Sequence, residues 1–213
     1  MAQSPSTTSD ALDSLIILNL RDLEAASHRL LQEIQPRIAK AIDETVADWA
    51  RKNKWNGQFG WKEDVLWLAP QGWSSEADPS NAYKARFYLD GGVNDKFDWN
   101  PTEDVYWLTR LCRLGKGRLG FRWYFGTGLT TKPKWKKILQ EDIGRVESIG
   151  ANGFEPEDSG YFFLEVKIDP EQLNSGIIEG SFDSALKPFA IALEKLLEVK
   201  PIFDELMKSA KVV

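Results

Sequence analysis

A basic, ring-rich segment holds the residues of this sequence best suited to chemistry with a partner. From 105 to 140 the chain has nine basic residues and no acidic one, although its net charge is −5. Aromatic residues alternate with these cations, and such surfaces bind phosphate backbones and single strands. The segment therefore predicts a site for an anionic partner, made of Arg110, Arg113, Lys116, Arg118, Arg122, Tyr124, Lys132, Lys134, Lys136 and Lys137.

Acidic segments elsewhere in the chain leave a second outcome open. SSEADPS (74–80), NDKFDWNPTED (94–104) and FEPEDSG (154–160) could fold against the basic segment and neutralise it within one molecule. The lysines of KPKWKK favour a partner instead. They lie at the start of a predicted helix, where cations oppose the helix dipole and an anion would offset that cost.

Glu165 and Lys167 form a Glu-x-Lys pair on a predicted strand. In PD-(D/E)XK nucleases such a pair works with an upstream carboxylate, because two carboxylates hold a metal ion while the lysine positions the attacking water. Asp158 is only seven residues upstream with no turn between, so it cannot lie on a partner strand. A cross-strand surface pair is the simpler interpretation, and we predict no metal site.

Two further motifs carry less weight. GKGRLG (115–120) matches the pattern G-x-G-x-x-G of dinucleotide-binding proteins. That motif needs a helix directly after it, whereas a strand is predicted here. We therefore expect a hairpin turn between two strands. Cys112 lies in a predicted strand between cations that favour its thiolate. The only histidine, His28, is on a distant helix, so no nucleophilic pair is expected.

The tryptophans at 49, 55, 61, 67 and 73 are evenly spaced by six residues. The segments between them share no pattern, and structural repeats have periods of about 20 residues or more. We expect Trp49 to pack from a helix onto the sheet, Trp67 to lie in a strand, and the other three to lie at ends and turns. Core and rim packing is thus predicted over a ligand-stacking cage.

The order of the predicted elements indicates an α+β fold. Apolar spacing predicts one helix from about residue 10 to Ile34 and a second from Pro36. Strands are predicted at DVLWLAP, KARFYLD, DVYWLTRLCRL, RLGFRWYFG and YFFLEVKID. Further helices are predicted after Thr131, over 183–199 and from Pro201. Short turns between strands favour a mainly antiparallel sheet of about five strands, with helices on one face.

The N-terminal region divides into a leader and a helical arm. We predict a disordered leader over 1–9 and a single domain over 10–213, whose arm covers 10–53. Ile16, Leu23 and Leu30 are seven residues apart, a spacing that can pair two chains as a homodimer. Packing of the arm on its own sheet is the alternative, because Ser27 interrupts a short stripe.

Composition narrows the class of protein. No apolar run reaches the roughly 18 residues of a membrane span, and the N-terminus lacks the charged and apolar regions of a secretory signal. One cysteine excludes an intramolecular disulfide and a CxxC metal site. We predict a cytoplasmic protein that needs no cofactor.

The segment from about Ile34 to Leu139 resembles a known pattern. It combines a two-part amphipathic helix, a tryptophan-rich strand, KARFYLD, a strand containing WL and a basic aromatic strand. This pattern is similar to the non-catalytic sheet-and-helix region after the core of some bacterial PD-(D/E)XK-type nuclease proteins. The resemblance implies a recognition part of a bacterial or phage protein, in phage defence or a related phage–host system. It carries over no functional residue.

Three classes of function follow. The preferred one is a non-enzymatic binding or regulatory module that engages an acidic protein surface or a nucleic acid. The second is a direct nucleic-acid-binding protein. The third is a metal-dependent nuclease that uses Glu165 and Lys167.

Overall fold

A computed structural model describes residues 7–74, 83–92, 104–126 and 129–211. Within these residues, helices pack on one face of a six-stranded antiparallel sheet, which confirms the predicted α+β class. Most of the acidic segments 74–80 and 94–104 lies outside the described residues, as do residues 1–6 of the predicted leader.

The N-terminal helices follow one another almost without interruption. They are α1 (Thr7–Leu18), α2 (Leu20–Arg29), a π-helical turn (Leu30–Ile34) and α3 (Gln35–Asn53). Asn19 does not break the path, because its N–H donates to the Leu15 carbonyl at 3.1 Å and its own carbonyl accepts from Leu23 at 3.0 Å. Pro36 lies in the first turn of α3, directly after the π-helical turn.

The sheet contains β1 (Trp55–Gly60), β2 (Val65–Pro70), β3 (Ala85–Gly92), β4 (Arg118–Phe125), β5 (Glu155–Pro156) and β6 (Phe162–Glu165). Its spatial order is β1-β2-β3-β4-β6-β5, and every neighbouring pair is antiparallel. Successive side chains of a strand point to opposite faces, so the register defines an inner face and an outer face. The strand β1 was not predicted.

The inner face carries the core. Its aromatic residues pack against α3, α5 (Lys132–Glu141), α6 (Ile143–Ala151) and the long α8 (Lys187–Lys211). The other helix in this part of the chain is α7 (Pro170–Glu179). At the centre, the Phe203 ring of α8 stacks on Trp123 of β4 with centroids 4.5 Å apart and planes 7° apart. Both side chains are fully buried.

The predicted strand DVYWLTRLCRL is wrong. Its centre forms the short helix α4 (Trp107–Leu111), in which Leu111 is fully buried. A short run that is apolar on both sides suits a buried strand and a buried helical turn equally well, because periodicity alone cannot separate them. The GKGRLG turn therefore joins a helix to β4, and not two strands as expected.

The predicted break at Pro201 is also wrong, because α8 continues through it from Lys187 to Lys211. A proline inside a helix removes one hydrogen bond and costs about 3 kcal/mol. Val199 and Phe203 on either side are fully buried. Burial of such side chains contributes about 1.5–3 kcal/mol each, which offsets the cost and keeps the helix continuous.

The tryptophans pack in the core and at its rim, as expected. Trp49, Trp55, Trp61 and Trp73 are buried, and Trp49 meets Trp55 edge-on at 5.1 Å. The Trp49 indole donates to Glu194 at 2.7 Å, and the Trp73 indole donates to Asp204 at 2.6 Å. The Trp49 and Trp73 rings thus fill apolar space while each N–H keeps a partner, whereas the buried Trp61 indole finds no hydrogen-bond partner among the described residues. Trp67 lies on the outer face.

We predict that Phe203→Ala lowers the free energy of unfolding by about 3–5 kcal/mol, because it leaves a cavity under Trp123. Ile191→Ala is the matched control on the same helix. Its side chain is 59% exposed, so its effect should stay within about 0.5 kcal/mol. Urea unfolding followed by tryptophan fluorescence measures both. Equal effects would contradict the central place of the Phe203–Trp123 stack.

Candidate binding surface on the outer face of the sheet

The outer face brings together side chains from four strands. Alternation along β4 places Arg118, Arg122 and Tyr124 on this face, as predicted, while Trp123 faces the core. In the register, Arg122 lies opposite Tyr88 of β3 on one side and Phe163 of β6 on the other. The face is therefore built from alternate residues of neighbouring strands, and it lies opposite the helical layer.

Arg122 is held between two carboxylates of its own chain. Its Nε lies 3.0 Å from Glu157 Oε2, and its Nη1 bonds the Asp90 carboxylate. About a fifth of the Arg122 and Glu157 side chains is exposed, and Asp90 is 45% exposed. Charges in such a half-buried pair are screened less by water and salt than charges at the open surface.

Arg118 and Arg113 are matched in the same way. Arg118 Nη1 lies 2.5 Å from Glu155 Oε2 and 3.8 Å from Glu165 Oε2. Arg113 Nε lies 3.1 Å from Glu165 Oε1. Cations and carboxylates therefore alternate along the series Arg113, Glu165, Arg118 and Glu155. The Arg118 guanidinium also lies over the Phe163 ring, 4.9 Å from its centroid. These arginines therefore stabilise the fold of their own sheet.

The expectation that this arginine group stands open to a partner is wrong for Arg113, Arg118 and Arg122. For Arg118 and Arg122 one cause is the acidic segment 154–160, which turns back along the sheet edge as β5 pairs with β6. Glu165 of β6 matches Arg113, and Asp90 of β3 also matches Arg122. The turn is closed by the Glu157 N–H, which donates to the Tyr161 carbonyl at 2.8 Å. Self-neutralisation, the alternative left open above, is what the structure has at these positions.

Arg110 stabilises the loop before β4 by a hydrogen bond to its backbone. Its Nη2 donates to the Asp104 carbonyl at 3.0 Å, and the Asp104 carboxylate accepts from the Gly117 N–H at 2.7 Å. A Cβ at Gly115 would collide with that carboxylate. The glycine-rich turn is thus shaped to accept Asp104, which accounts for this part of GKGRLG without a phosphate.

The predicted lysines separate into two groups. Lys137 lies 3.7 Å from Glu141, with both side chains exposed, and Lys134 has a contact within the chain. Lys116, Lys132 and Lys136 are exposed and have no carboxylate partner within 4.0 Å in the described part of the chain. The cations that remain available therefore lie in the turn before β4 and on α5.

Rings and cations form a continuous row across the outer face, which we call the outer row. Its members are, in order, Tyr83, Trp67, Arg86, Tyr88, Tyr124, Tyr161 and Lys132. Neighbouring members lie 5.0–5.9 Å apart, measured between ring centroids or from the cation to the centroid. Most of these side chains are half-buried, and only Tyr161 is buried.

Tyr88 supplies a hydroxyl donor to the outer row. Burial raises the pKa of Tyr88, an effect that Arg86 opposes and Tyr124 reinforces. A tyrosine hydroxyl is protonated at neutral pH even at its ordinary pKa of about 10, so it can donate a hydrogen bond. The row therefore offers ring faces, a hydroxyl donor and the Lys132 ammonium along one line.

Sequence reasoning found Tyr124 and Lys132 but missed the other members of the row. A signal was available in KARFYLD, because strand alternation places Arg86 and Tyr88 together on one face. Nothing in the sequence paired that face with the face of Arg122. Tyr83 and Trp67 come together through the isolated pairing of residues 74 and 83 and the antiparallel register of β2 and β3.

The remaining motifs lie in surroundings that differ from those predicted. Burial raises the pKa of the Cys112 thiol, and the nearby Asp169 adds to this, so the expected thiolate is disfavoured. Cys112 follows α4 and does not lie in a strand. Glu165 is engaged by two arginines, and Lys167 lies beyond the end of β6. The described residues contain no cluster of three or more metal-ligand side chains.

Comparison of the chain with protein-family models finds no match, and neither do comparisons with curated proteins and with solved structures. Among the helices of the described residues, none combines the length and apolarity needed to cross a membrane.

We predict a double-mutant coupling energy of about 1–2 kcal/mol between Arg122→Met and Glu157→Gln, because both side chains are largely shielded. The exposed pair Lys40 and Glu44, at 3.7 Å, is the matched control, with an expected coupling of about 0.3–0.5 kcal/mol. Urea unfolding of the single and double variants measures both. A coupling no larger than the control would mean that Glu157 does not hold Arg122 in the folded protein.

Proposed function

We propose that the protein is a non-enzymatic binding module that engages an anionic macromolecule with the outer row and the lysines beside it. The observation that carries the proposal is the unbroken row of mostly half-buried rings, joined through Arg86, that ends at the exposed Lys132. Tyrosine and tryptophan are enriched at contacts between macromolecules, because each joins a large apolar surface to a polar group.

The lysines support a negative partner. Lys132 and Lys136 flank the buried Trp135, whose indole donates to the Gly160 carbonyl at 2.8 Å. Because Gly160 belongs to the turn that precedes β6, this bond ties the start of α5 to the outer face. Three exposed lysines without carboxylate partners replace the arginines as the expected contact residues.

Direct nucleic-acid binding is the second candidate, and the outer row favours it over binding of an acidic protein. Bases stack on aromatic side chains with about 1–3 kcal/mol per base, with little dependence on sequence. Three tyrosines of the row, Tyr88, Tyr124 and Tyr161, follow one another with ring centroids 5.9 and 5.0 Å apart. An acidic protein surface would use the lysines but gain less from the rings.

The structure argues against a nuclease that uses Glu165 and Lys167, because Arg113 and Arg118 already pair with the Glu165 carboxylate. The setting in phage defence that the sequence resemblance implies stays a prediction.

We predict that a fluorescein-labelled oligo-dT binds the protein with an affinity that falls steeply as salt rises, because each neutralised phosphate releases counterions. Lys116→Ala, Lys132→Ala and Lys136→Ala together should weaken binding and reduce the log–log salt slope by about 2, at roughly 0.7 per phosphate on a single strand. Fluorescence anisotropy at several salt concentrations measures the effect.

The control replaces three other exposed lysines, Lys52, Lys62 and Lys187, by alanine, which changes the net charge equally. Poly-glutamate in place of oligo-dT separates the two partner classes. Binding of poly-glutamate alone would contradict the nucleic-acid candidate. Equal losses in the two triple variants, or no binding of either polymer, would contradict the proposal.

We also propose that the chain associates with itself through its N-terminal arm. Of thirteen exposed large apolar residues in the described chain, eight lie between Leu12 and Leu31. Contiguous apolar patches of this kind mark interaction sites, whereas single exposed residues do not. Only the part of the arm before α3 is available for this association, because α3 buries Ile38, Ile42 and Val46 in the core of its own domain.

We predict that Leu20→Asp abolishes this association, because a carboxylate in an apolar contact loses its hydration. Sedimentation velocity over a concentration series should show a monomer–dimer equilibrium for the wild type and a monomer for the variant. Ile178→Asp, at a residue that is 77% exposed on α7, is the control and should leave the equilibrium unchanged. A wild type that stays monomeric throughout would contradict the proposal.

A further inference from the structure

We propose that Glu155 competes with the anionic partner for Arg118, and that a phosphate of a bound nucleic acid takes the place of the Glu155 carboxylate. The proposal rests on the binding by the outer face proposed above. It adds a contact residue, Arg118, which is closed in the free protein and opens in the complex, and a residue, Glu155, that selects the class of partner.

Arg118 lies between two parts of the proposed binding surface. Lys116, two residues before it, is exposed in the turn before β4. Tyr124 of the outer row lies six residues after it on the same face of β4, which is about 20 Å along the strand. The direct line from Lys116 to the outer row therefore crosses Arg118 and the carboxylate that covers it.

The carboxylate on Arg118 is the exposed one of the group. Glu155 Oε2 lies 2.5 Å from Arg118 Nη1, and the Glu155 side chain is 57% exposed, against 21% for Arg118. In the neighbouring pair of Arg122 and Glu157 both side chains are about four-fifths covered. Water and salt screen an exposed carboxylate, so such a pair contributes little to stability. Glu155 can therefore leave its arginine at low cost, whereas Glu157 stays in place.

The backbone around Glu155 does not have to move in this exchange. Phe154 and Ser159 are buried and anchor the segment at both ends, whereas Glu155, Pro156 and Asp158 between them are exposed. The strand β5 pairs Glu155 with Phe163 of β6. Rotation of the Glu155 side chain toward water is therefore enough to uncover the guanidinium.

Arg118 keeps its position when Glu155 leaves. Its guanidinium lies over the Phe163 ring, 4.9 Å from the centroid, and its Nη1 lies 3.8 Å from Glu165 Oε2. Glu165 is shared with Arg113, whose Nε lies 3.1 Å from Oε1. One carboxylate between two guanidinium groups leaves an excess of one positive charge, so the place that Glu155 leaves attracts an anion.

The exchange favours a phosphate backbone over an acidic protein. Arginine binds carboxylates and phosphates with the same planar fork, so a carboxylate of a partner offers Arg118 no more than Glu155 already does. A phosphate of a nucleic acid adds the release of condensed counterions. Glu155 therefore acts as a specificity-determining residue, because it raises the free energy of binding most for partners that bring only carboxylates.

The competition is tested with Glu155→Gln in the full chain, with fluorescein-labelled oligo-dT as the probe. Loss of the competing carboxylate should lower the dissociation constant by roughly twofold to fivefold, in keeping with the strength of an exposed ion pair. Asp158→Asn is the matched control. Asp158 is exposed in the same segment, and no cation of the described residues lies within 4.0 Å of its carboxylate. The control makes the same change in net charge and should alter the constant by less than about 1.5-fold.

Arg118→Met tests the other side of the pair. It should weaken binding of oligo-dT, and in its presence Glu155→Gln should bring no more gain than Asp158→Asn, because no guanidinium is left to uncover. Fluorescence anisotropy at low salt measures each constant, and thermal unfolding checks that each variant is folded. The comparison of Glu155→Gln with Asp158→Asn stands by itself if Arg118→Met does not fold.

Equal constants for Glu155→Gln and Asp158→Asn would overturn the competition while leaving the binding of oligo-dT by the lysines intact. Tighter binding of poly-glutamate than of oligo-dT by the wild type would overturn the selection for phosphate. A wild type that binds neither polymer would overturn the binding module and this competition together.

Discussion

Packing of α8 against the inner face of the sheet is the interaction on which the rest of the structure depends. The Phe203–Trp123 stack lies at its centre, and Phe87, Phe154 and Phe162 surround the Phe203 ring within 6.2 Å, measured between centroids. Close packing of this kind fixes the curvature and register of the strands. Because side chains alternate, the same register decides what the outer face presents.

On the outer face, carboxylates of the same chain neutralise arginines of the basic segment that the sequence alone suggested were free to bind a partner. Asp90, Glu155, Glu157 and Glu165 are brought to the arginines by the β3–β4 pairing and by the small β5–β6 edge. What remains is a surface with little excess charge, a row of rings that ends at Lys132, and exposed lysines in the turn before β4 and on α5. Such a surface suits a partner held by stacking and modest charge attraction more than one held by charge alone.

The arm differs from the domain in what it leaves exposed. Within the domain most aliphatic side chains are buried, and exposed ones such as Ile178 and Ile191 lie on different helices. In the arm, leucine and isoleucine side chains face water over three turns. Burial of such side chains is the main favourable term in association, so the reason for the arm to bind a partner differs from that of the rings and lysines on the outer face.

Strand alternation and helical spacing were enough to predict the fold class and the three strands β2, β3 and β4. They also predicted the helix that carries KPKWKK and the shared face of Arg118, Arg122 and Tyr124. These features depend on local periodicity, which the chain carries in any context. The helix at Trp107, the continuous α8 and the strand β1 were not predictable in this way, because packing against distant residues and pairing of β1 with β2 override local preference there.

The sequence by itself determined that a basic segment and several acidic segments exist, and that the arm has an apolar side. Only the tertiary structure decided which carboxylate meets which guanidinium, and which part of the arm remains open. The reason is that Coulomb attraction and apolar burial act over a few ångströms in space. Glu157 and Arg122 are 35 residues apart in the chain, and nothing local to either residue specifies that they meet.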